Sequence, residues 1–390
     1  MMRRRLLLLV SSSFVLLLTG CWDQVDIEER GFIIGSGIDM ADEQKKQGRV
    51  LTLTHQFVVP AGLGAPMQGG GDQKAFDNLS ASGESMFEIS RKMTEQSSKL
   101  PFYRHEKIIV ISNEVAKLPY LFGEMMDIFL RNPEMRRSIK VAVADGKAED
   151  VLNTKPESEK IPAIYLDSVM ENSFENASGM EPVKIGEVHE FLMGKMSYVL
   201  PRIIAREKSV ESEGSAVFQG YNNQMIGTLN DAETKALNLI IGKAKQGIIN
   251  ISLNQKNITY EMEEAKSKIK LDTNDIRHLD VYVDINVSGV ISETFGTENL
   301  FQRSTFKEIE KHVSREIETK AEQTIKKAQQ ELKTDIFGIG NMLKERHYDQ
   351  WQQIHDNWDR GANYFSQSTF HVNTTTRIRT TGNVNKSKNE

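Results

Sequence analysis

The sequence predicts a mixed α/β fold with three domains, each a β-sheet packed with helices. Three patterns lead to this prediction. Short strand patterns alternate with helical patterns in the first half of the chain, as they do in α/β domains. Alternating apolar residues over 277–291 indicate a long, half-buried strand in the last third. One apolar stripe runs from Phe306 to Leu332 at helical spacing, so a helix of about seven turns must lie against a sheet.

The first domain is predicted to span residues 21–208. The continuously apolar segment 107–111 favours a central strand, whereas the glycine-rich segment 62–71 favours a flexible loop. A polar break at 209–214 is a candidate hinge. Strands are predicted at 31–39, 49–58, 107–111, 138–144 and 198–204, and helices at 83–97, 118–130, 156–186 and 185–193.

Two further domains are predicted. Residues 209–246 form a small middle β-β-α domain, in which a hairpin turns at Asn222-Asn223 and a helix follows. Residues 247–390 form an α+β domain, in which an antiparallel sheet is covered by the long helix. The Lys and Glu residues of that helix are expected on its solvent side. Strands of these two domains are predicted at 215–221, 224–229, 248–253, 258–264, 277–291 and 369–379.

The start of the chain is typical of an export signal, predicted over residues 1–20. Three arginines at 3–5 precede an apolar run from Leu6 to Leu18, which is too short to span a bilayer. The ending Leu18-Thr19-Gly20-Cys21 resembles a bacterial lipobox, which implies that Cys21 carries a diacylglyceryl group. Two acyl chains would hold the protein stably at a membrane. The alternative is an ordinary cleaved signal that ends near a cysteine by chance.

The bulk composition limits the possible partners. The formal net charge is −5, and removal of the first arginines would make it more negative, which argues against nucleic acid and against broad adhesion to an anionic membrane. Cys21 is the only cysteine, so no disulfide can form within the chain. No second segment is long and apolar enough to span a bilayer. We therefore expect a body that is tethered at one end.

The motifs of common enzymes are missing from the sequence. The eight histidines are scattered, and no His pair at i, i+4 is flanked by Glu, so neither a metal site nor a cofactor is predicted. No Gly-x-Ser-x-Gly elbow and no phosphate-binding loop occur. His105 precedes an apolar strand and is expected to be structural. The sequence therefore predicts a protein that is not an enzyme.

A series of short motifs in order along the chain resembles the Ger(x)C family of spore germination lipoproteins. Each motif is weak alone, but their order and spacing are specific. The motifs are Cys21-Trp22-Asp23, Gly35-Ser36-Gly37-Ile38-Asp39, Arg104-His105-Glu106-Lys107, Phe129-Leu130-Arg131-Asn132-Pro133-Glu134-Met135-Arg136, Phe218-Gln219-Gly220-Tyr221, and Asp335-Ile336-Phe337-Gly338-Ile339-Gly340 with Trp351 and Trp358.

The resemblance implies a specific role. Members of this family are C subunits of nutrient germinant receptors, have three mixed α/β domains, and work with a multi-spanning A subunit and a transporter-like B subunit. The resemblance places the protein on the outer face of the spore inner membrane. The residue-based alternative is a lipid-anchored solute-binding protein of a transporter, which would need two similar lobes, whereas this chain has unlike thirds.

Five positions are candidates for contacts outside the domains. Trp22 follows the lipid-bearing position, so its ring is predicted either at the membrane interface or packed on the first domain. Arg131 and Arg136 crowd a turn near acidic residues, which favours an internal ion-pair network, with a partner contact as the alternative. Trp351 and Trp358 share a helix face, and core packing is favoured over an exposed docking surface.

Overall fold

The computed structural model describes residues 29–41, 49–64, 74–176, 179–294 and 303–380. The predicted signal peptide, Cys21 and Trp22 lie outside these ranges, as does most of the glycine-rich segment. Within the described ranges, no helix combines the length and apolarity needed to cross a bilayer.

A ten-stranded mixed sheet forms the first part of the molecule. Its main path has the order β10-β9-β8-β6-β5-β1-β2-β3, with β4 beside β1 and β7 beside β6. The four central strands β8, β6, β5 and β1 are parallel, and the strands on either side are antiparallel. The strands are β1 (Arg30–Met40), β2 (Leu51–Val58), β3 (Phe76–Gly83), β4 (Leu100–Phe102), β5 (Ile108–Ser112), β6 (Lys140–Ala144), β7 (Val183–Lys184), β8 (Tyr198–Ala205), β9 (Val210–Gln219) and β10 (Gln224–Leu229).

Helices cover both faces of this sheet. Ile109 and Ile111 of β5 face one core, and Ile108 and Val110 face the other, so the predicted central strand is confirmed as buried on both sides. Ser85 caps the first helix by accepting a hydrogen bond from the Glu88 amide. The helices are α1 (Met86–Gln96), α2 (Asn113–Ala116), α3 (Leu121–Arg131), α4 (Ala148–Leu152), α5 (Pro162–Glu175), α6 (Ile185–Gly194) and α7 (Asp231–Ile240).

The predicted hairpin at Asn222-Asn223 is present, but it does not form a sheet of its own. Its strands β9 and β10 continue the first sheet, because β9 pairs with β8 from Tyr198–Phe218 to Ala205–Val210. The described residues therefore form two sheets. The boundaries of the three predicted domains stay a prediction.

The second sheet has the order β11-β12-β13-β14. Its strands are β11 (Gly247–Leu253), β12 (Lys256–Asp272), β13 (Asp280–Thr294) and β14 (Thr369–Thr380). The antiparallel arrangement is confirmed for the first three strands, whereas β14 runs parallel to β13. The parallel pairing is possible because a long helical connection joins these two strands.

The long helix α8 (Arg303–Lys326) lies across the second sheet, as predicted. Its buried side chains include Ile309, Val313, Ile317 and Ala321, which are the centre of the apolar stripe. A π-helical turn at Lys327–Leu332 follows. The last helices are α9 (Ile339–Arg346), α10 (Tyr348–Ile354) and α11 (Tyr364–Gln367).

Not all the polar side chains of α8 are solvated. Glu318 accepts a hydrogen bond from the Thr374 amide at 2.8 Å, and Glu310 accepts one from the Ile378 amide at 2.9 Å. Both amides belong to β14, which is an edge strand. Because unpaired edge amides can pair with another chain, these carboxylates protect the sheet edge.

The end of α8 joins the two sheets. Lys327 forms an ion pair with Glu233 of α7 at 2.7 Å, in a half-buried position. Leu332 lies so close to Gly227 of β10 that a Cβ atom there would come within 2.5 Å of it. One hydrophobic core extends from the first sheet to the second and includes both Phe218 and Val281.

We expect Ile317→Asp to lower the free energy of unfolding by several kcal/mol, because Ile317 is 3% exposed and the new carboxylate would be buried without a partner. The control is Glu322→Lys, at an exposed position of the same helix, which should change stability by less than about 0.5 kcal/mol. Urea unfolding of the purified proteins measures both. Equal stability of the two variants would contradict the burial of the stripe.

Candidate functional site

The Gly35-Ser36-Gly37-Ile38-Asp39 motif lies in β1, at the centre of the first sheet. A Cβ atom at Gly35 would come within 2.7 Å of the Ala163 side chain, and one at Gly37 would come within 3.1 Å of Leu152. The glycines therefore let α4 and α5 approach the strand closely. Asp39 accepts hydrogen bonds from the amides of Ala148 and Glu149 at the start of α4, at 2.7 and 2.9 Å.

Ser36 belongs to a buried polar cluster. Its hydroxyl is hydrogen-bonded to the Glu106 carboxyl group and lies 2.8 Å from Nδ1 of His55. The Tyr103 hydroxyl lies 3.3 Å from Nε2 of the same histidine. The cluster is therefore a hydrogen-bonded chain from Tyr103 through His55 and Ser36 to Glu106.

Burial shifts the proton affinities of this cluster. The loss of water around Glu106 raises its pKa to about 8, and Ser36 offsets this only in part. The same effect lowers the pKa of His55 to about 3 and raises the pKa of Tyr103. At neutral pH the histidine is uncharged and the glutamic acid is largely protonated. Oε2 of Glu106 is buried without a hydrogen-bond partner.

The cluster does not have the geometry of a nucleophilic triad. In such a triad, histidine lies between the serine and the acid and accepts the serine proton. Here Ser36 lies between His55 and Glu106 and is fully buried. Among the described residues, no group of three His, Cys, Asp or Glu side chains is placed to hold a metal ion.

A cavity of about 810 Å³ lies beside the cluster, between α1 and α3. His55 and Tyr103 form part of its wall, so one end of the hydrogen-bonded chain reaches it. The rest of the inner wall is mostly apolar and includes three methionines. Its apolar members are Leu51, Leu53, Met86, Phe87, Pro101, Leu121, Met125, Ile128, Phe129 and Met135.

The Asp335-to-Gly340 motif forms a second buried polar centre. The Asp335 carboxylate accepts hydrogen bonds from the amides of Phe337, Ile339 and Gly340 and from the Trp358 indole at 2.8 Å. It thus caps α9 and ties it to Trp358. Burial raises the pKa of Asp335, and these donors oppose the rise.

The predicted core packing of both tryptophans is confirmed. Trp351 and Trp358 are 8% and 2% exposed, and their rings meet edge to face with centroids 6.2 Å apart. A Cβ atom at Gly340 would come within 2.8 Å of the Trp358 ring, so only glycine fits there.

The hairpin motif Phe218-Gln219-Gly220-Tyr221 connects the two parts of the molecule. Phe218 is buried and stacks on Tyr198 with ring centroids 5.0 Å apart. Gln219 donates to the Asp359 carbonyl oxygen at 3.1 Å, and Ser197 donates to the Asp359 carboxylate. The motif therefore fixes the first sheet against the segment that follows Trp358.

The Arg-rich turn contains the two described residues that were predicted as partner contacts. Arg131 is 79% exposed and pairs with Asp127 at 2.7 Å, one helical turn earlier. Arg136 is exposed in the segment that leads to β6. Arg30 and Glu134 form a longer ion pair at 3.9 Å. Local pairs are therefore present at this turn, and a partner contact at Arg131 and Arg136 stays a prediction.

Sequence reasoning missed the members of the buried cluster. It selected His105 from the Arg104-to-Lys107 motif, but His105 is exposed and the neighbouring Glu106 is 4% exposed. One signal was available: Ser36 stands between two glycines in an apolar strand, and His55 lies on the alternating apolar side of the next strand.

Two family models match consecutive parts of the chain. Residues 23–205 match the model described as "Spore germination protein N-terminal domain", and residues 213–382 match "Spore germination B3/ GerAC like, C-terminal". The chain belongs to the Ger(x)C family of spore germination proteins. Both models cover parts that contain the motifs described above.

Proteins similar over nearly their whole length support this assignment. Spore germination protein YndF of Bacillus subtilis is 28% identical, with 93% of each chain covered. Spore germination protein A3 of the same organism is also 28% identical, with 95% of this chain and 97% of the relative covered. The crystal structure of the GerBC protein has the same fold, with a TM-score of 0.60 at 21% identity over 91% of this chain and all of that one.

The buried polar cluster around Ser36 predicts a pH-dependence of stability that can be tested. Between the ordinary Glu pKa of 4.5 and about 8, the unfolded chain has lost the Glu106 proton and the native protein keeps it. The contribution of Glu106 to the free energy of unfolding therefore falls as pH rises, by at most about 1.4 kcal/mol per pH unit. His55 acts in the opposite sense, between about pH 3 and 6.5. The range from pH 6.5 to 8 therefore isolates Glu106 from His55.

We expect Glu106→Gln to reduce this fall between pH 6.5 and 8, because glutamine accepts the Ser36 hydrogen bond and cannot ionise. Urea unfolding at several pH values measures the slope in both proteins. Glu95→Gln, at an exposed position of α1, is the control and should keep the slope of the original protein. An unchanged slope in Glu106→Gln would show that Glu106 is already ionised in the native state.

Proposed function

We propose that the chain is the lipid-anchored, non-enzymatic C subunit of a spore nutrient germinant receptor and is needed for germination in response to nutrients. The observation that carries this proposal is the match to spore germination families over residues 23–205 and 213–382. Similar proteins named spore germination protein B3 and KC, from Bacillus subtilis, also align over more than nine-tenths of both chains.

The proposed location is the outer face of the spore inner membrane. The export signal and the lipobox-like ending at Cys21 support a diacylglyceryl anchor. The chain from Cys21 to Arg30 can reach at most about 30 Å, so the anchor would keep the start of β1 near the bilayer. The membrane partners would be the A and B subunits of the receptor.

The tether also supports Arg131 and Arg136 as contact residues. Arg30 begins β1 and contacts Glu134 in the Arg-rich turn, so this turn lies at the end of the sheet nearest to the proposed anchor. β1, β5 and β6 are parallel, and their amino ends share that edge. Arginine side chains there could meet acidic groups of a membrane subunit.

The receptor proposal is tested by purifying tagged protein from spore membranes in a mild detergent. We expect two integral membrane proteins to copurify with it. Recovery of the tagged protein with a small solute and no membrane subunit would instead favour the solute-binding protein.

We expect Cys21→Ala to release the protein from the membrane without changing its thermal melt, because Cys21 precedes every described strand and helix. The test uses the chain expressed alone, so that no receptor subunit can retain it. Trp22→Ala keeps the cysteine and is the matched control, which should stay in the membrane fraction. Equal membrane association of Cys21→Ala and the original protein would rule out the lipid anchor.

Charge reversal at Arg131 together with Arg136 should lower copurification of the membrane subunits, because the new carboxylates would repel an acidic contact surface. Both positions are exposed, so the stability should change little. The matched control is charge reversal at Lys307 together with Lys326, which are exposed on α8. If both double variants recover the same amount of partner per protein, the Arg-rich turn is not a contact surface.

A further inference from the structure

We infer that the cavity between α1 and α3 binds a small molecule with an apolar body and a hydrogen-bond-donating alcohol or amine head. The inference goes beyond the proposed receptor role and does not depend on lipid anchoring. It rests on the size of the cavity, the chemistry of its wall and the charges at its rim.

The size and wall suit a small amphipathic molecule. Small-molecule sites in proteins usually enclose about 300–1,000 Å³ and combine an apolar wall with a few polar groups, and this cavity has a volume of about 810 Å³. Met86, Met125 and Met135 lie in its wall, and their flexible thioethers adapt to differently shaped apolar bodies. Leu51, Leu53 and His55 are alternate residues of β2, so they lie on the same face of the strand and line the cavity together.

The polar end of the cavity is formed by His55 and Tyr103. The Tyr103 hydroxyl lies 3.3 Å from Nε2 of His55, and the hydrogen-bonded chain continues through Ser36 to Glu106. A phenol hydroxyl can accept a hydrogen bond from an alcohol or amine head.

The charges at the cavity rim favour the same ligand class. Glu84, Glu124 and Asp127 lie in the wall, and Arg131 is the cation among the lining residues. Arg131 is already paired with Asp127, and Glu124 is paired with Arg49 at 3.4 Å. Glu84 therefore adds a net negative charge at the rim. These acids would repel a carboxylate head, whereas an ammonium or hydroxyl head would not be repelled.

The ligand class is tested with n-hexylamine, n-hexanol and n-hexanoate as probes. The full-length protein is purified with carbon-13 in its methionine methyl groups. Met86 and Met125 report the cavity, and Met342 on α9 reports general partitioning into the sample. We expect titration of the cavity methyl signals, with hexylamine and hexanol binding at least tenfold more tightly than hexanoate.

Two variants locate the binding site. Ser90→Phe places a ring in the cavity wall and should abolish the shifts of Met86 and Met125, whereas Ser252→Phe on an exposed site of β11 should leave them unchanged. Tyr103→Phe removes the hydroxyl at the polar end of the cavity and should weaken the binding of hexanol. A thermal melt of each variant confirms that it is folded.

Three results would overturn the inference. The first is that no probe shifts the cavity methyl signals at 10 mM, roughly the weakest affinity worth detecting for so few ligand atoms. The second is that hexanoate binds as tightly as hexylamine and hexanol. The third is that Ser90→Phe, shown to be folded, binds the probes as the original protein does.

Discussion

The close approach of α4 and α5 to the backbone of β1 is the constraint on which the first part of the molecule depends. Glycine at 35 and 37 removes the side chains that would separate the strand from Ala163 and Leu152. With one face of β1 fixed in this way, Ser36 must face the other core. It is buried there, and a buried hydroxyl needs partners, which His55 and Glu106 provide. The polar cluster is therefore a consequence of how the strand packs, and its position decides which end of the neighbouring cavity is polar.

The second part of the molecule depends on a comparable centre at Asp335. Its carboxyl group accepts hydrogen bonds from three amides at or just before the start of α9 and from the Trp358 indole, so one buried group organises both a helix and an aromatic cluster. The residue after Trp358 is Asp359, which receives hydrogen bonds from Ser197 and Gln219 of the first sheet. The position of Trp358 thus also sets the junction between the two sheets. A substitution at Asp335 would also disturb the contacts between the two sheets, because Trp358 and Asp359 are adjacent in sequence.

The spacing of apolar residues predicted the helices and strands that are buried on one face or on both. Examples are the long helix with Ile317 at its centre and the strand that contains Val110. It did not predict which sheet the hairpin joins, because pairing of β9 with β8 depends on contacts far apart in the sequence. It also placed Glu318 in solvent, since a helical pattern records which residues are polar and not whether an edge amide lies within reach. The buried polar cluster was not predicted for a related reason. Ser36, His55 and Glu106 are distant in sequence, and only the packed sheet brings their side chains together.

The positions of the cavity, the Arg-rich turn and the proposed anchor follow from one feature of the topology. β1, β5 and β6 are parallel, so the segments that enter them share one edge of the sheet. Arg30 begins β1 a short distance after Cys21, and Arg136 lies in the segment that enters β6. Arg131, at the end of α3, lies both in this turn and in the cavity wall. A molecule that enters the cavity would therefore contact the helix that carries Arg131. A molecule in the cavity and a protein surface bound at the Arg-rich turn would therefore contact the same helix.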